Sequence, residues 1–286
     1  MKRIKKIVSL AVVATLLTGC ATSKQPRPND PNHSRALNIA LAADLRDIKD
    51  TKVSSSQYQS MQRGNVVFDA GWTWANYVNP APGFTSGFGL GLGVASILFP
   101  QKSAAASNSL MAWIPADQAL GKADAKEKIL KAGTEAIENA LERLNFRIRD
   151  KARQEHPHLG SAVGYVIEDP NGGCGSGEEG ELASCAIVLA IDHIDEGYSP
   201  VALTGQSYPA YVLNSSSPGK RSILNIRSEP ESKLNQVDLY LEISKEMPDW
   251  MAVYVAPKRA LDGEGKENPM PFIALQGKIE LFVLPE

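Results

Sequence analysis

The sequence contains four histidines, the residue type most typical of proton transfer and metal binding in active sites. His193 stands in the stretch DHIDE at 192–196, where Asp192, Asp195 and Glu196 surround it. An imidazole beside carboxylates can exchange protons with a substrate or bind a metal ion. The same residue types are typical of a solvated turn at the end of a strand, and we favour that interpretation for this cluster.

A second histidine cluster lies at 155–158, where the sequence reads EHPH. His156 and His158 are two residues apart, whereas the zinc-binding histidines of a helical H-E-x-x-H motif are four apart. Pro157 indicates a loop. We therefore expect an exposed connection between a helix and a strand here. No catalytic residue, metal site or cofactor is predicted, and an envelope hydrolase that uses His193 stays open as an alternative function.

A glycine-rich segment, GFGLGLG, places Gly87, Gly89, Gly91 and Gly93 at alternate positions. The G-x-G-x-x-G spacing of a dinucleotide-binding loop is absent, and no apolar strand precedes the segment. On a helix, glycines four residues apart allow another backbone to approach closely. We predict that these glycines form an assembly or packing surface.

The glycines lie within 84–99, part of a stretch from 70 to 101 that has no charged residue. Sixteen helical residues span about 24 Å, which is short of the roughly 30 Å hydrocarbon core of a bilayer. Three placements stay open for 84–99, namely packing within the fold, contact with a partner, and insertion into a membrane.

The amino terminus has the three parts of a secretory signal in order. A basic start, MKRIKK, precedes eleven apolar residues, IVSLAVVATLL, which are too few to span a bilayer. The segment ends in Leu17-Thr18-Gly19-Cys20, which resembles the lipobox of bacterial lipoproteins. This resemblance implies cleavage before Cys20 and acylation of its sulfur and its new amino group. Ala21, where some family members have aspartate, implies sorting to the Gram-negative outer membrane.

The expected cleavage changes the net charge of the chain, and the expected location predicts the state of the other two cysteines. Cleavage would remove four of the 30 basic residues, leaving 26 against 32 acidic ones and a net charge of −6. Such a chain has no basic field for nucleic acid. The periplasm is oxidising, so we predict that Cys174 and Cys185 form a disulfide around the acidic, glycine-rich loop between them.

The hydrophobic pattern predicts an α+β fold, in which an antiparallel sheet carries two helices on one face. The helices are expected at 124–146 and within 234–248, because their apolar residues recur with the period of a helix. Strands are predicted around 109–116 and on both sides of the cysteine loop, where they would form a hairpin. Further strands are expected at 209–216, 221–229, 249–257 and 271–285.

Four regions are predicted along the chain. Residues 1–19 form the signal peptide, and 20–33 form a lipidated, proline-rich tether. Residues 34–102 are expected to be helical at first and then apolar and free of charge. Residues 103–286 form the α+β domain.

The lipobox, tether, charge-free glycine-rich segment and α+β body together resemble the outer-membrane surface-exclusion and complement-resistance lipoproteins of conjugative plasmids. The sequence predicts a lipoprotein with a periplasmic body and a non-catalytic binding or structural role, as an assembly component of an envelope-spanning secretion, pilus or conjugation machine. A surface-exposed exclusion or protection lipoprotein is the alternative that this resemblance implies. The expected partners are outer-membrane lipid, through acylated Cys20, and proteins or further copies of the chain.

Overall fold

The computed structural model describes residues 26–46, 48–56, 58–59, 105, 107–156, 160–169, 174, 185–213, 222–228, 234–257 and 271–286. Its helices are α1 (Arg35–Ala42), α2 (Lys122–Arg143), α3 (Val201–Thr204) and α4 (Gln236–Glu246). Its strands are β1 (Thr51–Val53), β2 (Ser109–Pro115), β3 (Arg147–His156), β4 (Gly160–Glu168), β5 (Cys185–Ile191), β6 (Ile194–Tyr198), β7 (Pro209–Leu213), β8 (Ile223–Ser228), β9 (Met251–Val255), β10 (Phe272–Leu275), β11 (Lys278–Leu281) and β12 (Val283–Pro285).

These strands form two antiparallel sheets and one short parallel pair. The larger sheet has the order β11-β10-β9-β2-β7-β6, and the smaller has the order β3-β4-β5-β8. Strand β1 pairs in parallel with β12, so that Thr51 lies opposite Val283. The predicted α+β class is confirmed, with two sheets where the sequence indicated one.

The six-stranded sheet is the middle layer of the body, because it is covered on both faces. Successive side chains of a strand point to opposite faces. On β2, the even-numbered residues 110, 112 and 114 belong to a core that also contains the buried sides of α2 and α4. Met111 and Trp113 point the other way, into a second core that contains α1. Helix α1 therefore lies on one face of the sheet, and α2 with α4 lies on the other.

Helices α2 and α4 have the predicted amphipathic pattern. In α2, Ile129, Ile137 and Leu141 are buried within the larger core, as their helical spacing predicts. Helix α4 is capped by Asn235, whose side-chain oxygen accepts hydrogen bonds from the backbone N–H groups of residues 237 and 238, and it ends before Pro248. The two helices contact each other and bury their apolar sides in the same core. The prediction of two helices on one face is confirmed.

Two strands occupy positions where the sequence predicted loops or turns. Residues 155 and 156 belong to the ten-residue strand β3, and the prediction of an exposed connection there was wrong. The pattern is hard to recognise because β3 is an edge strand whose residues are mainly charged. Of the predicted solvated turn at 192–196, residues 192 and 193 lie between β5 and β6, whereas 194–196 belong to edge strand β6, which pairs with β7.

The hairpin on both sides of the cysteine loop is confirmed, since β4 and β5 pair antiparallel from Ser161 opposite Ile191 to Val166 opposite Ala186. Gly160 begins β4 with φ +64, and a side chain there would place its Cβ 2.4 Å from the Ile191 carbonyl oxygen. Only glycine adopts this backbone conformation at such a close approach without strain. The connection from β3 into β4 therefore requires a glycine at residue 160.

Candidate functional site at the amino-terminal end of the body

The amino-terminal end of the described chain is tied to the body at the start of helix α1. The Ser34 hydroxyl accepts a hydrogen bond from the backbone N–H of Leu37 at 3.0 Å and so caps the helix. The backbone N–H of Ser34 donates to Asp50 Oδ2 at 2.6 Å, and the Ser34 hydroxyl donates to the other carboxylate oxygen. These bonds join the helix to the chain that follows it.

The residues before α1 fold back onto that helix. The Asn38 side chain is buried, accepts a hydrogen bond from the Asp30 backbone N–H at 2.9 Å, and donates to the Asp30 carbonyl at 3.0 Å. Arg27 donates to the carbonyl oxygen of Leu41 near the other end of the helix. A hydrogen bond from the Asn32 backbone N–H lowers the pKa of the Asp30 carboxyl group. From Arg27 onward, the chain is therefore in contact with the folded body.

Arg35 joins helix α1 to two other elements. Its guanidinium group donates to the carbonyl oxygens of Ala202 and Leu203 in α3, at 2.7 and 3.2 Å, and to Glu280 Oε1 in β11 at 2.5 Å. Arginine suits this role because its five N–H donors lie in one plane with fixed directions. The helix is thus held to elements that are more than 160 residues away in the sequence.

The predicted disulfide is confirmed. Cys174 and Cys185 are bonded, with their Cα atoms 5.4 Å apart, and both sulfurs lie in the larger core. Cys185 is the first residue of β5 and pairs across the sheet with Ser228 of β8. The bond fixes residue 174 beside the start of a central strand of the smaller sheet. Its surroundings are apolar, which is typical of a structural disulfide.

The His193 cluster is an exposed pair on the edge of the six-stranded sheet. His193 Nε2 lies 3.0 Å from Asp195 Oδ1, and both side chains are about one-third exposed. Asp195 belongs to β6, opposite Val212. Within the described ranges, no group of three His, Cys, Asp or Glu side chains is close enough together to hold a metal ion.

Several predicted site residues lie outside the described residues. These are Cys20, His158 and the four glycines Gly87, Gly89, Gly91 and Gly93. Their roles as lipidation site, loop residue and assembly or packing surface stay predictions. Among the helices that the structure describes, none is long and apolar enough to cross a membrane.

The contacts of the amino-terminal segment were not found from sequence. The proline-rich composition of 20–33 predicted an extended tether, because prolines and polar residues are typical of one. The sequence did contain one usable signal, since Asn38 is a polar residue on the otherwise apolar helix RALNIALA. A buried asparagine requires hydrogen-bond partners, and the segment before the helix supplies them.

Comparison with known proteins gives no relative for this fold and this amino-terminal arrangement. No family model matches the chain, and no curated protein and no solved structure matches it significantly. Its function is therefore inferred from its own residues and their contacts.

Proposed function

We propose that this protein is an outer-membrane lipoprotein with a periplasmic, non-catalytic body that serves as a binding or structural element of an envelope assembly. The observation that carries the proposal is the run of basic residues, apolar residues and Leu17-Thr18-Gly19-Cys20 in the order and lengths of a lipoprotein signal. Two acyl chains already anchor a protein stably, at about 0.8 kcal/mol for each buried CH₂ group.

Two structural features support this location. The Cys174–Cys185 disulfide is the kind of bond that forms and persists in an oxidising compartment such as the periplasm. The chain joins the folded body at Arg27, only seven residues after Cys20, so the anchor and the body are close neighbours in sequence. Both features agree with a folded domain carried at a membrane surface.

A binding or structural role is the activity that the described residues support best. The titratable groups with well-defined contacts pair with one another between elements, as Arg143 of α2 does with Glu246 of α4 at 2.5 Å. The glycine-rich segment is the feature of the sequence best suited to close contact with another backbone. We therefore propose protein partners or further copies of the chain, in addition to lipid.

Replacement of Cys20 by serine tests the anchor. We expect the variant to lose incorporation of labelled palmitate and to leave the membrane fraction, because serine has no thiol to acylate. The control is the pair Cys174→Ala and Cys185→Ala, which leaves Cys20 as the remaining cysteine of the chain's three and should keep the label. If the serine variant still fractionates with outer membranes, the proposed anchor is wrong.

Substitution of the four glycines tests the assembly role. We expect Gly→Leu at 87, 89, 91 and 93 to abolish co-purification with partner proteins from detergent-solubilised membranes, because bulky side chains prevent close backbone contact. The same four positions changed to alanine keep small residues and should retain the partners. Identical partners and identical oligomer size in both variants, and after deletion of 84–99, would contradict the assembly role.

Protease added to intact cells tests the placement of the body. A periplasmic body should stay uncut in intact cells and be cut once the outer membrane is permeabilised. Cleavage in intact cells would favour the surface-exposed exclusion or protection lipoprotein instead.

A further inference from the structure

The first described contact with the body lies seven residues after the proposed anchor, and the length of that stretch has an upper limit. Among the described residues, which begin at 26, Arg27 already contacts the body through its hydrogen bond to the Leu41 carbonyl oxygen. A fully extended chain spans at most about 3.3–3.6 Å per residue, so the seven steps from Cys20 to Arg27 reach about 25 Å at most. The attachment point of the tether, which is the Arg27 backbone beside α1, therefore stays within about 25 Å of the acylated cysteine.

That reach is small compared with the body itself. A folded chain of this length has a radius of gyration of about 18 Å, which corresponds to a body roughly 45 Å across. The attachment point also lies at the surface, since Arg27 and its neighbours on both sides are exposed. Helix α1 covers one face of the six-stranded sheet, and α2 with α4 covers the opposite face, about 20 Å further away at a layer spacing of about 10 Å.

We infer that the anchor holds the body with its α1 side against the phospholipid surface and its α2 and α4 side away from the membrane. The α1 side thus faces the bilayer. This inference rests on the proposed acylation of Cys20. If the opposite side of the body turned to the lipid, the attachment point would lie about one body width from the membrane. That distance is longer than the tether, so this orientation is excluded.

Energy transfer from the body to the bilayer tests this orientation. Full-length acylated protein is bound to the outside of preformed vesicles of phosphatidylethanolamine and phosphatidylglycerol that contain a headgroup-labelled acceptor. A donor dye is attached through a click-reactive residue at position 46 or at position 131, so the disulfide is not disturbed. Arg46 lies five residues after Leu41, and Lys131 lies on α2. Their side chains are similarly exposed, at 77% and 75%, so the two dyes have similar freedom.

We expect transfer from position 46 to be several-fold more efficient than from position 131. Equal transfer from an acylated protein that floats with the vesicles would overturn the orientation alone. A protein that lacks acyl chains by mass spectrometry and does not float would overturn the proposed function, and the orientation with it. Vesicle flotation and mass spectrometry of the acyl chains therefore distinguish the two failures.

A lengthened tether is the matched control. Twenty glycine and serine residues inserted between Ser23 and Lys24 form a flexible linker with an average end-to-end distance of about 25 Å and a much longer maximum reach. We expect the difference between the two donor positions to fall to less than half. An unchanged difference would show that the body adheres to lipid independently of its tether, and would overturn the argument from reach.

Discussion

The Tyr240 hydroxyl connects three elements in the interior of the protein. It accepts a hydrogen bond from the Ile226 backbone N–H at 2.9 Å and another from the Asn108 side chain, and it donates to the Leu224 carbonyl oxygen at 3.4 Å. Tyr240 is completely buried, and burial raises the pKa of its hydroxyl group. Asn108 also accepts from the backbone N–H of Ala256 at 2.9 Å. The hydroxyl therefore links α4 to the outer edge of β8 and to the start of β2.

We predict that Tyr240→Phe lowers the free energy of unfolding by about 2–3 kcal/mol, measured by denaturant titration. The change leaves the Ile226 N–H group without its acceptor in a buried position, and such a group costs about 1–3 kcal/mol. The control is Tyr254→Phe, which removes a single hydrogen bond, from the hydroxyl to the Ala105 carbonyl at 2.8 Å. The control should lose about 1 kcal/mol. Equal losses would show that the three-way contact is not cooperative.

Charged side chains of β3 illustrate what the sequence did not reveal at residue level. Lys151 binds Glu138 of α2 at 2.5 Å, and Arg153 binds Glu127 of the same helix at 2.8 Å. Glu138 also accepts a hydrogen bond from the Tyr165 hydroxyl at 2.9 Å. Each of these partners is distant in sequence, so no local pattern predicts the pairing. The charges also discourage association of the free edge of β3 with another strand.

At the scale of elements, the predictions succeeded where a segment has one apolar side. Helices α2 and α4 were predicted because their apolar residues recur every three or four positions, and the hairpin of β4 and β5 because short apolar runs border a glycine-rich loop. Strand β3 was missed because charged residues lie on both of its faces, so the sequence shows no alternation of apolar and polar residues there. The division into two sheets was missed because β7 and β8, which are neighbours in sequence, pair with different partners.

The disulfide stabilises the hairpin of β4 and β5 by restricting the unfolded chain. Residues 174 and 185 are eleven positions apart, and closing so short a loop contributes about 3 kcal/mol. We predict that the pair Cys174→Ala and Cys185→Ala loses about that much free energy of unfolding. Alanine avoids burying a hydroxyl group in the apolar surroundings of the two sulfurs.

Wild-type protein kept under a reducing agent is the control for that pair, because it loses the same crosslink without a change of sequence. It should show a similar loss when both are measured by denaturant titration. A double-alanine variant within about 0.5 kcal/mol of the oxidised wild type would contradict the loop-closure argument.

At the scale of the whole molecule, α1 and the described residues before it are part of the folded body. The predicted domain boundary near residue 102 stays a prediction. The structure places Leu37 and Ile39 of α1 in one core with Trp113 and Phe282. A boundary estimated from composition cannot reveal such contacts, because the residues that meet in this core come from opposite ends of the chain.

Truncation tests this integration. We predict that a protein beginning at residue 26 keeps the stability of the full mature chain, because it retains the described contacts of this segment, from the Arg27 hydrogen bond to Leu41 onward. A protein beginning at Thr51 lacks α1, and it exposes the side of β2 that carries Met111 and Trp113. It should lose at least about 4 kcal/mol, since each large apolar side chain contributes about 1.5–3 kcal/mol when buried.

Denaturant titration measures both truncated proteins, and binding of a hydrophobic dye reports the uncovered sheet face. If the protein beginning at Thr51 unfolded at the same denaturant concentration as the one beginning at 26, α1 would be dispensable for the fold.

The pairing of β1 with β12 sets the order of events when the protein is made. Thr51 needs Val283 as its partner, and the backbone N–H of Glu286 donates to the Val53 carbonyl at 2.9 Å. Strand β2 likewise pairs with β7 and β9, which come much later in the sequence. Chains are synthesised from the amino terminus, so the first strand emerges long before the last. The body can therefore close only after the final residues have emerged, and until then the uncovered sheet faces need protection from aggregation.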